Sequence, residues 1–287
     1  MVIASPKGSI SLKVVDTHAE EVVLRLLPVL TAIVMALASP MTARAAAQSD
    51  LNASFLAAFG HRAPLTRQTY VATFMSKVLP GPSGAWPLVV QLTPARLIPL
   101  DGSRWALIVK ETVVDGDHLM GGAIAIAYLR KVGSQWHGEQ VWPEVFYSGS
   151  FGQLANAGGD VKTFGAAPLY FATGQWCGQE TCSDDIDAVS LDSSGPRYLG
   201  DIDGSAQFPM DPTDPDAANP YCESYAYTAK VEPPTIAGAV FSVVYEGWRA
   251  PPAKLAPKTA FHHVANMVAK GGKFAMQPGV PLPGSCQ

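Results

Sequence analysis

The feature that most limits the fold is a succession of apolar runs cut at short intervals by turn-forming residues. Residues 70–79, 87–100 (PLVVQLTPARLIPL), 104–114 (RWALIVKETVV), 122–132 (GAIAIAYLRKV), 135–147 and 168–174 are rich in Val, Ile, Leu and aromatic side chains. Such side chains fit a pleated, half-buried surface. Asp101-Gly102-Ser103 separates two of the runs and signals a hairpin. Shorter strands are expected at 188–191 and 197–199, followed by 225–231 and 240–248. The 261–270 and 273–276 segments flank Gly271-Gly272, a second hairpin signal. The 26 glycines and 24 prolines supply the turns that many short strands require. No amphipathic helix separates the strands, so a parallel βαβ architecture is excluded. One short helix is expected over 48–60. Ser49 or Asp50 would cap it, Leu51, Phe55, Leu56 and Phe59 would share a stripe, and Gly60 would end it. The expected class is mainly β, an antiparallel β-sandwich or barrel with one short N-terminal helix. The polar stretch 180–223 is expected to be a long decorated loop inside that domain.

The N-terminus carries the other strong signal. Residues 26–38 (LLPVLTAIVMALA) are apolar throughout and follow Arg25; small residues at alternate positions, Ala43-Arg44-Ala45, come after them. Positive flank, short apolar run and small-residue site are the parts of a secretory signal peptide. Cleavage is expected after Ala45, with Ala47 as the alternative. Residues 1–45 are then extension and leader, and 46–287 form one mature domain. A membrane anchor is disfavoured, because the run is shorter than the roughly 20 residues a spanning helix needs and contains Pro28. Residues 1–21 hold Asp16, Glu20 and Glu21, unusual for a leader, so translation is expected to start near Val22 or Val23.

Export gives the cysteines a meaning. All four, Cys177, Cys182, Cys222 and Cys286, follow the leader, and an even number in an oxidising compartment implies disulfides. Four cysteines allow three pairings. The favoured one joins Cys177 to Cys182 in a tight loop and Cys222 to Cys286, tying down the C-terminus. Zinc is the competing reading, but the Cys-x4-Cys spacing is loose for it.

Candidate chemistry gathers near these cysteines. Asp184, Asp185, Asp187, Asp192, Asp201, Asp203, Asp211, Asp214 and Asp216 crowd together with only Arg197 opposing them. Crowded carboxylates repel, and a hard cation such as calcium relieves the repulsion. Asp185, Asp187, Asp201 and Asp203 are therefore the candidate metal ligands, and calcium the one cofactor considered. Asp201-Ile202-Asp203-Gly204 starts like a calcium loop, but Pro212 stands where an EF-hand needs its closing Glu. The competing reading is a solvated acidic loop. Trp176 and Tyr221 are the candidate ligand-binding aromatics, Trp176 lying between a strand and the acidic stretch; packing against a disulfide is its other reading. Trp105 and Trp248 are expected in the core. Ser148-Gly149-Ser150-Phe151-Gly152 misses a nucleophile elbow, because Ser148 replaces the first glycine. His118 near Asp115 and Asp117 makes no triad by itself. Glu139 and Glu144 are five residues apart, on opposite faces of a strand, and so do not form a glycosidase pair.

Gly174 to Cys182 with its Gly-x-Trp, Trp142-Pro143 after a central strand, and the terminal Leu282-Pro283-x-x-Cys286 resemble a loose group of uncharacterised exported proteins of Gram-negative bacteria. The resemblance implies export and β structure and carries no catalytic residues. With a net charge of -4 the chain lacks the basic surface that nucleic-acid binding demands. The expected function is that of an exported, disulfide-stabilised binding protein of the bacterial envelope. Its ligand would be a glycan, a peptide or an envelope protein, and no membrane anchor would remain after cleavage. The alternatives are a hydrolase using a carboxylate or calcium-assisted site near Asp184–Asp203, and a structural envelope protein.

Overall fold

The computed structural model describes residues 47–60, 64–66, 69–81, 84–114, 121–150, 154–178, 181–208, 223–252, 257–276 and 282. For 64–88 and for the residues bounding the 179–180 turn, only the backbone is described. The leader, Tyr221, His118, Cys222 and Cys286 lie outside the described residues, as do the side chains of Cys177 and Cys182. A compact unit spans Leu51–Gln287.

Helix α1, residues 47–59, ends at Gly60, whose φ of 77° lets the chain leave the last turn. Among the described residues fourteen strands follow: β1 Pro64–Thr66, β2 Thr69–Gly81, β3 Gly84–Asp101, β4 Arg104–Val113, β5 Gly122–Val132, β6 Gln135–Ser148, β7 Asn156–Lys162, β8 Leu169–Gly178, β9 Thr181–Asp192, β10 Gly195–Phe208, β11 Ser224–Glu232, β12 Ala239–Ala250, β13 Thr259–Lys270 and β14 Lys273–Met276. They form two antiparallel meanders, a six-stranded sheet β1 to β6 and an eight-stranded sheet β7 to β14. The expected mainly-β class and the short helix are both present, as a sandwich and not as a closed barrel.

One expectation is corrected. The stretch 180–223 is not one long loop. Its first part is the β9–β10 hairpin, two strands of 12 and 14 residues. The period-2 pattern Asp185-Ile186-Asp187-Ala188-Val189 and Asp201-Ile202-Asp203 makes each strand polar on one face and apolar on the other. Burial of the apolar face outweighs the poor strand propensity of aspartate.

Three apolar clusters layer the molecule. Phe55 of α1 packs with Leu107, Val109, Ala125 and Leu129 on the outer face of the six-stranded sheet. The inner face of that sheet, Ile108, Ile124, Ile126 and Tyr128, meets Tyr170, Ala172, Val189 and Leu191 of β8 and β9. Phe171, Ala188 and Ile202 point the other way, against Phe241, Val243 and Met267 of β12 and β13. The eight-stranded sheet therefore bends back over itself, and β14 returns beside β10. Two register shifts in β10, at Tyr198/Gly200 and Asp203/Ser205, supply the bend. The tip of the β9–β10 hairpin is pinned to the six-stranded sheet. Tyr128 Oη donates to the Asp192 carbonyl at 2.9 Å, and Arg104 donates to the Ser193 carbonyl. Gly195 has φ 139°, and a Cβ there would lie 2.6 Å from the Trp142 ring, so only glycine fits the turn.

Candidate functional site

The four aspartates singled out in the sequence come together. Asp187 stands opposite Asp201, and Asp185 opposite Asp203, in the β9–β10 register. Alternation puts all four on the face that β8 and β9 turn towards the six-stranded sheet, the face of Ala172 and Val189. Trp176 joins them from β8, its indole N–H donating to Asp185. Sequence reasoning thus located two parts of one site, Trp176 and the carboxylates, without relating them.

The site runs from solvent to core. Asp201 and Asp203 are exposed, Asp185 is half-buried, and Asp187 is only 1 % exposed. Tyr198 Oη donates to Asp187 Oδ1 at 2.9 Å and lies 3.4 Å from Asp201 Oδ1. Asp187 Oδ2 is buried without a hydrogen-bond partner. Burial, reinforced by the neighbouring carboxylates, pushes Asp185 up to about 6. Burial pushes Asp187 up to about 7, although the Ser148 and Tyr198 hydroxyls pull the other way. Asp203, exposed at its edge, is raised by partial loss of hydration and by Asp201. Among the described residues, every charge acting on Asp185 and Asp187 is another carboxylate. Arg197, the expected counter-charge, pairs with Ser190 on the opposite face of the hairpin, so it does not neutralise them.

Ser148, read in the sequence only as the residue that breaks a nucleophile elbow, is part of the floor. It is buried, 3 % exposed, at the end of β6. Gly174 makes room for it: a Cβ at 174 would lie 1.9 Å from the Ser148 hydroxyl oxygen. Phe146 stacks on the Tyr198 ring at 5.3 Å and orients its hydroxyl. Tyr198 and Ser148 were missed as site residues, because register places them there from separate strands.

The other candidates are dispersed. Glu139 is held by Arg104 and Arg130, each at 2.8 Å. Glu144 accepts from Tyr147 at 2.7 Å and neighbours Glu111, which the sequence reading overlooked. Glu111, 1 % exposed in β4, is pushed up to about 9 by burial and then by Glu144, so it stays protonated at neutral pH. Trp105 packs against the helix-side core as expected. Trp248, expected in the core, is half-buried, and the Lys258 ammonium lies 3.8 Å from its ring centroid. Among the described residues no three His, Cys, Asp or Glu side chains are grouped closely enough to hold one metal ion. The four aspartates form two facing pairs along the strands, which suits spread positive charge better than a single ion. No protein-family model, curated protein or solved structure matches the chain.

Proposed function

We propose that this chain is an exported, non-catalytic binding protein of the bacterial envelope whose acidic face receives a basic peptide segment. One observation carries the reading: Asp185, Asp187, Asp201, Asp203 and Trp176 share a single face on which, among the described residues, no cation acts on Asp185 or Asp187, and which ends on a buried, unpartnered carboxylate oxygen. Like charges held together raise the free energy of the empty site, and ammonium or guanidinium groups would lower it. The exposed pair Asp201 and Asp203 would steer a cationic ligand inward, and the Trp176 ring would offer it a cation–π face. The leader-like N-terminus supports export. Cys177 and Cys182 stand directly opposite one another across β8 and β9, the placement a cross-strand bridge needs; no disulfide is present among the residues whose side chains are described. A calcium site remains the rival for the same carboxylates.

Isothermal titration with a pentalysine peptide at pH 8 tests the proposal. Binding that weakens at least tenfold in the Asp185→Asn/Asp203→Asn double variant, with an unchanged far-ultraviolet circular dichroism spectrum, supports it. Equal binding by that variant, or none by the native chain, overturns it. A melting point raised by calcium and restored by EDTA, with no response to the peptide, would transfer the site to calcium. A second reading, a hydrolase, is favoured by Asp187 alone, since a carboxyl near 7 beside a serine hydroxyl suits general acid–base chemistry. Turnover of ester or glycoside substrates, lost in Asp187→Asn, would support it.

A further inference from the structure

A second cavity lies on the other face of the same hairpin, where β13 and β14 close over β8 and β10. It encloses about 290 Å³, at the lower edge of the range for small-molecule pockets. Its floor is apolar: Leu169 and Leu199, each 5 % exposed, with Val240 and half-buried Phe274. Its rim is cationic: Arg197 from β10, and Lys270 and Lys273 from either side of the Gly271-Gly272 turn. Among the described residues no acidic side chain lines it, so three positive charges gather there in a chain of net charge -4. The β alternation that sends Asp187 and Asp201 to one face sends Ser190 and Arg197 to this one.

An apolar floor beneath a ring of exposed cations fits a ligand with the opposite polarity at each end. We propose that this pocket binds a single-chain fatty acid, its carboxylate against Arg197, Lys270 and Lys273 and its alkyl chain over Leu169, Leu199 and Phe274. Either half alone would be insufficient. Exposed ammonium and guanidinium groups hold a free anion weakly in water, and an alkyl chain without its head gains only its apolar burial. The pocket is independent of the acidic face, so the two sites stand or fall separately.

Titration of the full-length chain with decanoate, decanol and inorganic phosphate tests this. Decanoate is expected to bind at least tenfold more tightly than decanol, and phosphate to compete poorly. The charge-reversed Arg197→Glu/Lys273→Glu variant should lose decanoate at least tenfold while its melting temperature and pentalysine response are unchanged. Ala167→Trp, which plugs the pocket from the β7–β8 connection, should lose decanoate and decanol alike. The proposal is overturned by equal affinity for decanoate and decanol, by phosphate competing as well as decanoate, or by native affinity in both variants.

Discussion

The two faces of the β9–β10 hairpin differ in charge, burial and depth. One carries Asp185, Asp187, Asp201 and Asp203 towards the six-stranded sheet; the other carries Ile186, Ala188 and Ile202 into the bent-over half of the eight-stranded sheet, with Arg197 at its rim. The acidic face descends from exposed Asp203 to buried Asp187, so Asp185, Asp187 and Asp203 are raised by lost hydration and by neighbouring carboxylates. The cations of the opposite rim stay exposed, with apolar side chains below them. Two strands thus hold opposite charges within a few residues of sequence without letting them meet. An acidic stretch that could have neutralised itself through Arg197 instead keeps its repulsion, and that stored repulsion is what a cationic ligand would relieve.

The largest expected effect separates the faces by pH. A carboxyl raised in the folded state binds more protons there than in the unfolded chain. Its stabilising contribution is fully present below the unfolded value near 4 and is lost as pH rises through the folded value. Asp187, at about 7, should therefore make the protein less stable between pH 4 and pH 7, by on the order of 4 kcal/mol. Asp185, at about 6, adds a smaller loss over pH 4 to 6. Urea unfolding at pH 4.5 and pH 8 should show the decline, and Asp187→Asn should flatten most of it. A slope of opposite sign in the native chain would contradict the burial of Asp187.

Next comes Gly174→Ala, which sets a methyl group 1.9 Å from the Ser148 hydroxyl oxygen. Forced shifts in a packed interior cost about 1–3 kcal/mol, and the pH dependence of Asp187 should change with them, because Ser148 is one of its neighbours. Gly195→Ala should cost somewhat less, about 1–2 kcal/mol, through strain at φ 139° and contact with Trp142. It would loosen the hairpin tip and so weaken both faces together, as thermal melting and both ligand titrations would show. The smallest effect belongs to Arg197→Glu. Exposed and away from the carboxylates, it should alter stability by less than about 0.5 kcal/mol and leave pentalysine binding intact. A large change in either would show that Arg197 does reach the acidic face.

Much of the fold was legible because it rests on local signals. The Gly-bearing turns at Asp101-Gly102-Ser103 and Gly271-Gly272 join β3 to β4 and β13 to β14, and the Leu51–Phe59 stripe forms the helix face. The β9–β10 hairpin was misread because composition was weighed above periodicity: Asp, Ser and Gly suggest a loop, while Asp185-x-Asp187 and Asp201-x-Asp203 already alternate as strands do. That same i, i+2 spacing made the carboxylates recognisable as a set. Their floor was not recognisable. Ser148 reaches Asp187 from 39 positions away through the packing of two sheets, and Gly174 matters only because Ser148 lies over it. Glu111 stands in a strand whose apolar pattern it interrupts, between Val109 and Val113 of the core, and the nearby Glu144 that helps raise it comes from a different strand.

Carbon-13 NMR titration of the aspartate side-chain carboxyls, with and without pentalysine, tests the central claim most directly. Two resonances, assigned to Asp185 and Asp187 by their Asn variants, should titrate near 6 and near 7 in the free protein and move to lower pH when the peptide binds. Carboxyls that all titrate near 4 and do not respond to the peptide would contradict the account.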